Sequence, residues 1–293
     1  MTAQLMAVIA PIVLSAAVGY GWARSRLDYP ADFVRRVVMW VGTPCLVIST
    51  ISRADVPPVT LLLSGAASLS VVAVTLVAFA LLLTAAGMSR RVYLPPMIFP
   101  NPGNMGVPLC LFAFGEEGLA LGLAFFVAMT FAHFTLGLVI TAGIREYRQV
   151  LRSPIVWSAV IAVTLLMTGT SLPLWLDNTM SLLGGLTIPL MLLTLGVSLA
   201  SIRVQTIGRA FVLSVLRLVG GLLAGILVAW LFSLEGVARG VVILQAAMPA
   251  AVFNYMFALQ QNRSPHDVAG VVVVSTLLSF LMLPPLLIWL LAG

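Results

Sequence analysis

The stretch Phe99-Pro100-Asn101-Pro102-Gly103-Asn104-Met105-Gly106-Val107-Pro108 constrains the fold more than any other part of the chain. It lies inside a long apolar region where a membrane helix is expected. Its three prolines, two glycines and two asparagines cannot form an unbroken helix. Proline removes a backbone donor and clashes with the preceding turn, and glycine adds backbone freedom. In hydrocarbon, a broken backbone persists only where protein or a water-filled cavity surrounds it. The stretch is therefore expected deep inside the protein, at a place where something polar binds.

The surrounding chain supports a membrane setting. Of 293 residues, 61% are hydrophobic and 8% charged, and the mean hydropathy is +1.14. Soluble globular domains are less apolar than this. Ten apolar segments read as candidate spans, near 5–22, 33–51, 59–87, 93–114, 119–143, 154–169, 180–200, 207–232, 237–260 and 268–291. All fifteen basic residues are arginine. Twelve of them cluster in alternate loops: Arg24, Arg26, Arg35 and Arg36; Arg90 and Arg91; Arg145, Arg148 and Arg152; Arg203 and Arg209; Arg263. The other loops hold only Arg53 and Arg239, and Arg217 lies within the eighth segment. By the positive-inside rule the arginine-rich loops are cytoplasmic and both termini lie outside. The net charge of +6 thus sets topology, and no nucleic-acid partner is expected. The first apolar run has no positive n-region and reads as a retained helix, not a signal peptide. Cys45 and Cys110 fall in apolar runs and read as small core residues.

Five segments, a basic loop at Ile144–Ser153 and five more segments suggest two halves, 1–143 and 154–293. An odd number of segments per half forces the second to be inverted. Secondary transporters commonly use inverted repeats, with interrupted segments at matching positions marking the binding site. The counterpart of the fourth segment is the ninth, which carries Gln245-Ala246-Ala247-Met248-Pro249-Ala250-Ala251-Val252-Phe253-Asn254-Tyr255. Its mid-segment Pro249 meets the expectation of a second break.

At this point the residues resemble the auxin efflux carrier family, which includes plant PIN proteins and bacterial carboxylate permeases. The resemblance spans the chain. It rests on Ala10-Pro11 through Gly19-Tyr20-Gly21, Gly42-Thr43-Pro44-Cys45-Leu46, Pro100-Asn101 with Met105-Gly106-Val107-Pro108-Leu109, Met248 to Tyr255, and Ser275-Thr276-Leu277-Leu278-Ser279 followed by Pro284. It implies an all-α polytopic fold of the sodium/proton antiporter-like type: ten helices in two inverted five-helix repeats, with two broken crossover helices. It also implies transport of organic anions such as auxin, malate or malonate, here by a bacterial-type member in the inner membrane. Plant members often carry a long hydrophilic loop between the halves; Ile144–Ser153 is short, and Pro102 and Asn104 depart from the plant crossover.

Half-helix N-termini carry partial positive charge and attract anions. Two of them meeting at midplane would hold a carboxylate without a buried arginine. Asn101 and Asn104 from one arm, and Gln245, Asn254 and Tyr255 from the other, are the candidate substrate-binding residues, expected to face one another. The competing reading is that the amides only satisfy backbone groups freed by the prolines. Pro102, Gly103, Gly106, Pro108 and Pro249 shape the break. His133, in the fifth segment, is a candidate proton relay or a neutral histidine bonded to a neighbouring helix. Arg217 is expected to snorkel to the cytoplasmic interface beside Arg203 and Arg209, the alternative being a cavity-facing cation. Asp55, Glu116, Glu117, Asp177 and Glu235 read as solvated helix ends, and His266 as a solvated loop residue. With no acidic residue well inside a helix, coupling through a buried carboxylate is not expected; sodium held by carbonyls and amides stays open.

No phosphate loop, metal cluster or dinucleotide fingerprint is visible, so neither cofactor nor metal is expected. Gly184-Gly185, Gly220-Gly221 and Gly225 allow close helix packing within the monomer or in a homodimer. The leading function is a secondary transporter of small organic anions working by alternating access. Its alternatives are a sodium- or proton-coupled symporter of a larger anion, as in bile-acid transporters, and an intramembrane enzyme. An enzyme needs a nucleophile–base pair, paired acids or metal ligands within the bilayer, and Glu116-Glu117 is the nearest approach.

Overall fold

The computed structural model describes residues 2–25, 27–142, 153–202 and 207–292. Arg26, Arg145, Arg148, Arg152 and Arg203, with nearly all of the inter-half loop, lie outside the described residues. The described residues form helices and connecting turns, with no strand among them.

Helix α1 covers Thr2–Arg24. The second segment is split into α2 (Ala31–Val37), a π-helical turn (Val38–Gly42) and α3 (Thr43–Ile51). Helix α4 (Pro58–Ala85) begins on a proline, whose missing N–H costs nothing at that position. The fourth segment is α5 (Arg90–Ile98), an extended break at 99–101, a π-helical turn (Pro102–Gly106) and the start of α6 (Val107–Ala132). Gly115 divides α6 into two limbs at φ 68°, ψ −154°, a conformation open to glycine alone. A third π-helical turn (His133–Gly137) and α7 (Leu138–Ala142) follow. The second half contains α8 (Pro154–Thr168), α9 (Leu174–Gly185), α10 (Thr187–Ser201) and α11 (Ile207–Leu231), then the half-length α12 (Gly236–Ala246) and α13 (Val252–Gln260), and finally α14 (Pro265–Ala292).

Seven helical stretches are long and apolar enough to cross a membrane, and α8 and α12 are shorter apolar helices. The difference from ten segments has a physical source. The two breaks leave half-length helices, and the fourth and fifth segments count as one stretch because their limbs abut at the Gly115 kink with no intervening loop. The seventh segment starts at Leu174, ahead of the expected 180. Pro173 precedes its first turn, and Arg53 holds that turn by donating from Nε to Asp177 Oδ1 at 2.8 Å and from Nη2 to Ser181 Oγ at 2.9 Å. Asp177 is therefore ion-paired with Arg53, not solvated as expected. Asp55, Glu116, Glu117 and Glu235 are exposed, and His266 is exposed in the first turn of α14.

The surface is apolar and the interior partly polar. Trp40, Leu182, Trp230 and Leu281 point outward, while Thr43, Ser214, Thr276 and Ser279 are buried. In water such a surface would drive association; in lipid it is solvated. Between helices, contact comes from small residues and hydroxyls. Ser64 donates to Leu121 O at 2.9 Å and Ser214 to Val271 O at 3.2 Å. Helix α1 lies along α10, where a Cβ on Gly196 would overlap the backbone of Ala16. Gly221 and Gly225 pack against Ala246 and Ile243 inside this chain, and Gly184 against Leu46. Both cysteines are buried and unpaired.

Candidate functional site

The two breaks meet. Asn101 N–H donates to Pro249 O at 2.7 Å and Ala251 N–H to Phe99 O at 3.1 Å. Pro100 and Ala250 thus form a single antiparallel bridge between otherwise helical arms. Each proline-broken stretch supplies the partners that the other lacks, which is how exposed backbone survives at membrane depth. Ser275 Oγ accepts the Ala250 N–H at 3.1 Å, so α14 buttresses the crossing.

The C-terminal ends of α5 and α12 converge on one cation. Arg217 is 0% exposed. Its Nη1 donates to Met97 O at 3.2 Å, and its Nη2 to Ala246 O at 3.0 Å and Met248 O at 3.2 Å. Carbonyls at helix ends lack intrahelical donors and carry the negative end of the helix dipole. One guanidinium satisfies both arms. Gly221, one turn on, gives it room: a Cβ there would overlap Ala246 O and lie 2.8 Å from Arg217 Nη1. This corrects the snorkelling expectation. The uncapped carbonyls of two broken helices are stronger partners than the distant interface. The sequence signal was available, since an arginine two turns inside an apolar helix marks a site by default.

On the opposite side of the crossing lies a cavity of about 130 Å³. One wall consists of Pro100–Asn104, Ala251–Phe253 and Met256, with Phe126, Met129, Thr130, His133 and Phe134. The other consists of Ala31, Asp32, Arg35, Val38, Met39 and Thr43 from the second segment and Met191, Thr194 and Ser198 from α10. All three π-helical turns among the described residues border it, through Val38 and Met39, through Pro102, Gly103 and Asn104, and through His133 and Phe134. Such turns recur at functional sites because they re-aim side chains without ending the helix. Ala31 and Asp32 are exposed at its rim, on the side of the arginine-rich loops.

Asn101 is the best-defined polar group in this cavity. Its Oδ1 accepts the Asn104 N–H at 3.3 Å, with Pro102 in the first turn, an N-cap arrangement. Its Nδ2 is buried and has no acceptor among the described residues. One end of the amide therefore satisfies backbone, and the other is buried and unpaired in a residue that lines the cavity. Asn104 also lines the cavity, and Gly103 must lack a side chain because a Cβ would sit 2.9 Å from the Phe126 ring.

The other arm is arranged differently from the expected face-to-face pairing. Asn254 is buried behind the cavity, donating from Nδ2 to Phe99 O at 3.2 Å, while its Oδ1 lies 2.9 Å from His133 Nε2. With Nδ2 committed as donor, the network assigns the proton to His133 Nε2. The His133 ring stacks on Phe99, with centroids 4.2 Å apart. Gln245 donates to Gly122 O at 3.2 Å, and its Oε1 packs against Gly106; it ties α12 to α6 and does not line the cavity. Tyr255 is half-buried against the core on the far side of α13, where Val252, Phe253 and Met256 take the cavity face. Pro249 contributes its carbonyl to Asn101, and Pro108 is buried in the first turn of α6. The reason is helical phase: residues 252, 253 and 256 share one face of α13, and 254 and 255 turn away from it.

A helical membrane protein whose two broken segments cross beside a largely apolar cavity holding a few polar groups has the layout of a transport protein. Residues 4–290 match the family model described as membrane transport protein, and the chain belongs to that family, the one of the auxin efflux carriers. A protein of Methanothermobacter thermautotrophicus named an uncharacterized transporter is 26% identical over 272 residues, 87% of each chain. A second, from Methanocaldococcus jannaschii and also named an uncharacterized transporter, is 23% identical over 195 residues, 62% of this chain and 63% of the other.

Proposed function

We propose that this membrane transport protein is a secondary transporter of small organic anions, with its substrate site in the cavity beside the crossing. The observation that carries the reading is the buried, unpaired Nδ2 of Asn101 at the point where the two arms exchange backbone bonds. The first-turn N–H groups of Val252 and Phe253 lack intrahelical acceptors and lie on the same cavity. Together they offer neutral donors and a positive helix end to a carboxylate. The volume suits a compact solute, having room for roughly ten waters.

In this reading the chain is two inverted halves, 1–143 and 154–293, joined by the loop 144–153 and placed in a bacterial inner membrane with both termini outside. The cavity then opens toward the cytoplasm. Segments three to five and eight to ten move against one, two, six and seven, and the cavity lies between those groups. Asn101 and Asn104 touch the anion. Asn254 acts through His133, the candidate proton relay, while Gln245 and Tyr255 support the frame. Arg217 already fills the carbonyl cluster between the arms, which argues against a cation bound there.

Uptake into proteoliposomes of a carboxylate panel, with sodium, proton and voltage gradients imposed in turn, tests this. Saturable uptake that is lost in Asn101→Ala supports it. The absence of uptake or binding for every carboxylate overturns it.

A further inference from the structure

Arg217 does more than tie the two arms together. Among the described residues, no aspartate, glutamate or other arginine is buried with it. Its three partners are the carbonyls of Met97, Ala246 and Met248, none of which carries a full charge. The buried His133 lies at the cavity and is bonded to the neutral Asn254. The guanidinium is thus held at membrane depth without a counter-ion among the described residues. Arginine keeps its proton in such a place.

The two breaks create four helix ends at the crossing, and each end carries roughly half an elementary charge. The C-terminal ends of α5 and α12 are negative, and both meet Arg217. The guanidinium and these two ends offset one another. The ends that remain are the start of the π-helical turn leading into α6 and the start of α13, and both are positive. Together they leave about one positive charge on the cavity side. The far ends of the four half-helices, at Arg90, Gly115, Gly236 and Gln260, are exposed, where solvent screens them. With a neutral residue at 217 the four inner ends would cancel. Arg217 therefore gives the empty crossing a net charge that the broken helices alone do not have.

We propose that Arg217 is the charge that couples this carrier to the membrane potential, in place of a co-transported ion. The proposal rests on the alternating-access reading above, but not on which anion is carried. In that reading α5, α11 and α12 belong to the moving segments, so Arg217 travels with the crossing. The exposed charges of those segments stay in water at either face and cross little of the field. Arg217 is carried through it as a full charge. An inside-negative potential then draws the empty site toward the cytoplasm, the side on which the cavity opens. A bound carboxylate offsets the charge, so the loaded site moves with little response to voltage. The movement of the empty site is the step on which the membrane potential acts.

The test needs no carboxylate. Met256→Cys places a thiol on α13 in the cavity wall of the full chain, and the parent chain, whose Cys45 and Cys110 are buried, is the blank. Inverted membrane vesicles, cytoplasmic face outward, are labelled with an impermeant maleimide. Valinomycin and potassium gradients set potentials of about 100 mV of either sign. One charge crossing the whole of such a potential changes an equilibrium about fiftyfold, and one crossing a fifth of it about twofold. Labelling is expected to be at least about twofold faster with the cytoplasmic face negative. Arg217→Lys keeps that response. Arg217→Gln, whose amide still donates to carbonyls, loses it, and Arg217→Met takes its place if the melting curve shows the glutamine variant unfolded. Equal labelling at both polarities with Arg217 present overturns the proposal, and so does a response that survives in a folded neutral variant. Carboxylate uptake by the wild type, measured separately, distinguishes failure of the transporter reading from failure of this one.

Discussion

Replacing Arg217 by methionine keeps most of the side-chain volume and removes the cation that holds the two broken helices together. Three carbonyls, those of Met97, Ala246 and Met248, then lose their donor in a fully buried place. Hydrogen bonds between membrane helices average about 0.6 kcal/mol, which sets a floor near 2 kcal/mol for three. Leaving a buried charge network without one of its partners costs about 3–5 kcal/mol in soluble proteins. Relief of the buried charge offsets part of this, since Arg217 Nε also lacks a partner. The carbonyls are pinned at helix ends and have no second donor, so the loss should exceed the floor, at about 3 kcal/mol. For a chain of this size that is roughly a 5 °C fall in melting temperature. Thermal unfolding in detergent, followed by tryptophan fluorescence, reads it directly. Arg217→Lys should fall between, because an ammonium cannot span three acceptors in a plane. A methionine variant melting within about 2 °C of wild type would refute the capping argument and return Arg217 to a passive role.

Other substitutions separate structural from functional claims. Asn101→Ala should abolish anion binding and lower stability by only about 1 kcal/mol, the worth of an N-cap, as measured by binding and melting on one preparation. Gly221→Ala places a methyl against Ala246 O and Arg217 Nη1 and should cost about 1–3 kcal/mol, whereas Gly21→Ala meets nothing within 4 Å and should be neutral or slightly stabilising on the same melting assay. Asp177→Asn opens the exposed pair with Arg53 and should change stability by less than about 1 kcal/mol, with uptake intact.

How far the site was legible depends on whether its cause is local. The break at Phe99–Pro108 is a matter of missing donors and ring clashes, so residue types alone announced it. The second break at Pro249 was found the same way, once the alternation of arginine-rich loops had aligned the two halves. Asn101 was singled out for lying between two prolines. The partners of Gln245, Asn254 and Arg217 were not legible. Each depends on the phase of its helix against an element more than twenty residues away. Arg217 was assigned to the nearest interface because the carbonyls it caps come from two other segments. The second cavity wall was missed for a different reason. Arg35 and Thr43 share a face only because a π-helical turn shifts the register between them, and no residue pattern in Val38–Gly42 declares that turn.

Composition, the arginine alternation and the proline–asparagine stretch by themselves dictate a polytopic helical membrane protein with two interrupted segments. Those are consequences of backbone chemistry in hydrocarbon, and they hold whatever the neighbours do. Where the interruptions meet, which amide of Asn101 stays unpaired, and which cation closes the helix ends are set by packing. Residues far apart in the chain compete there for the same few unsatisfied backbone groups, and only the assembled fold shows which of them reach.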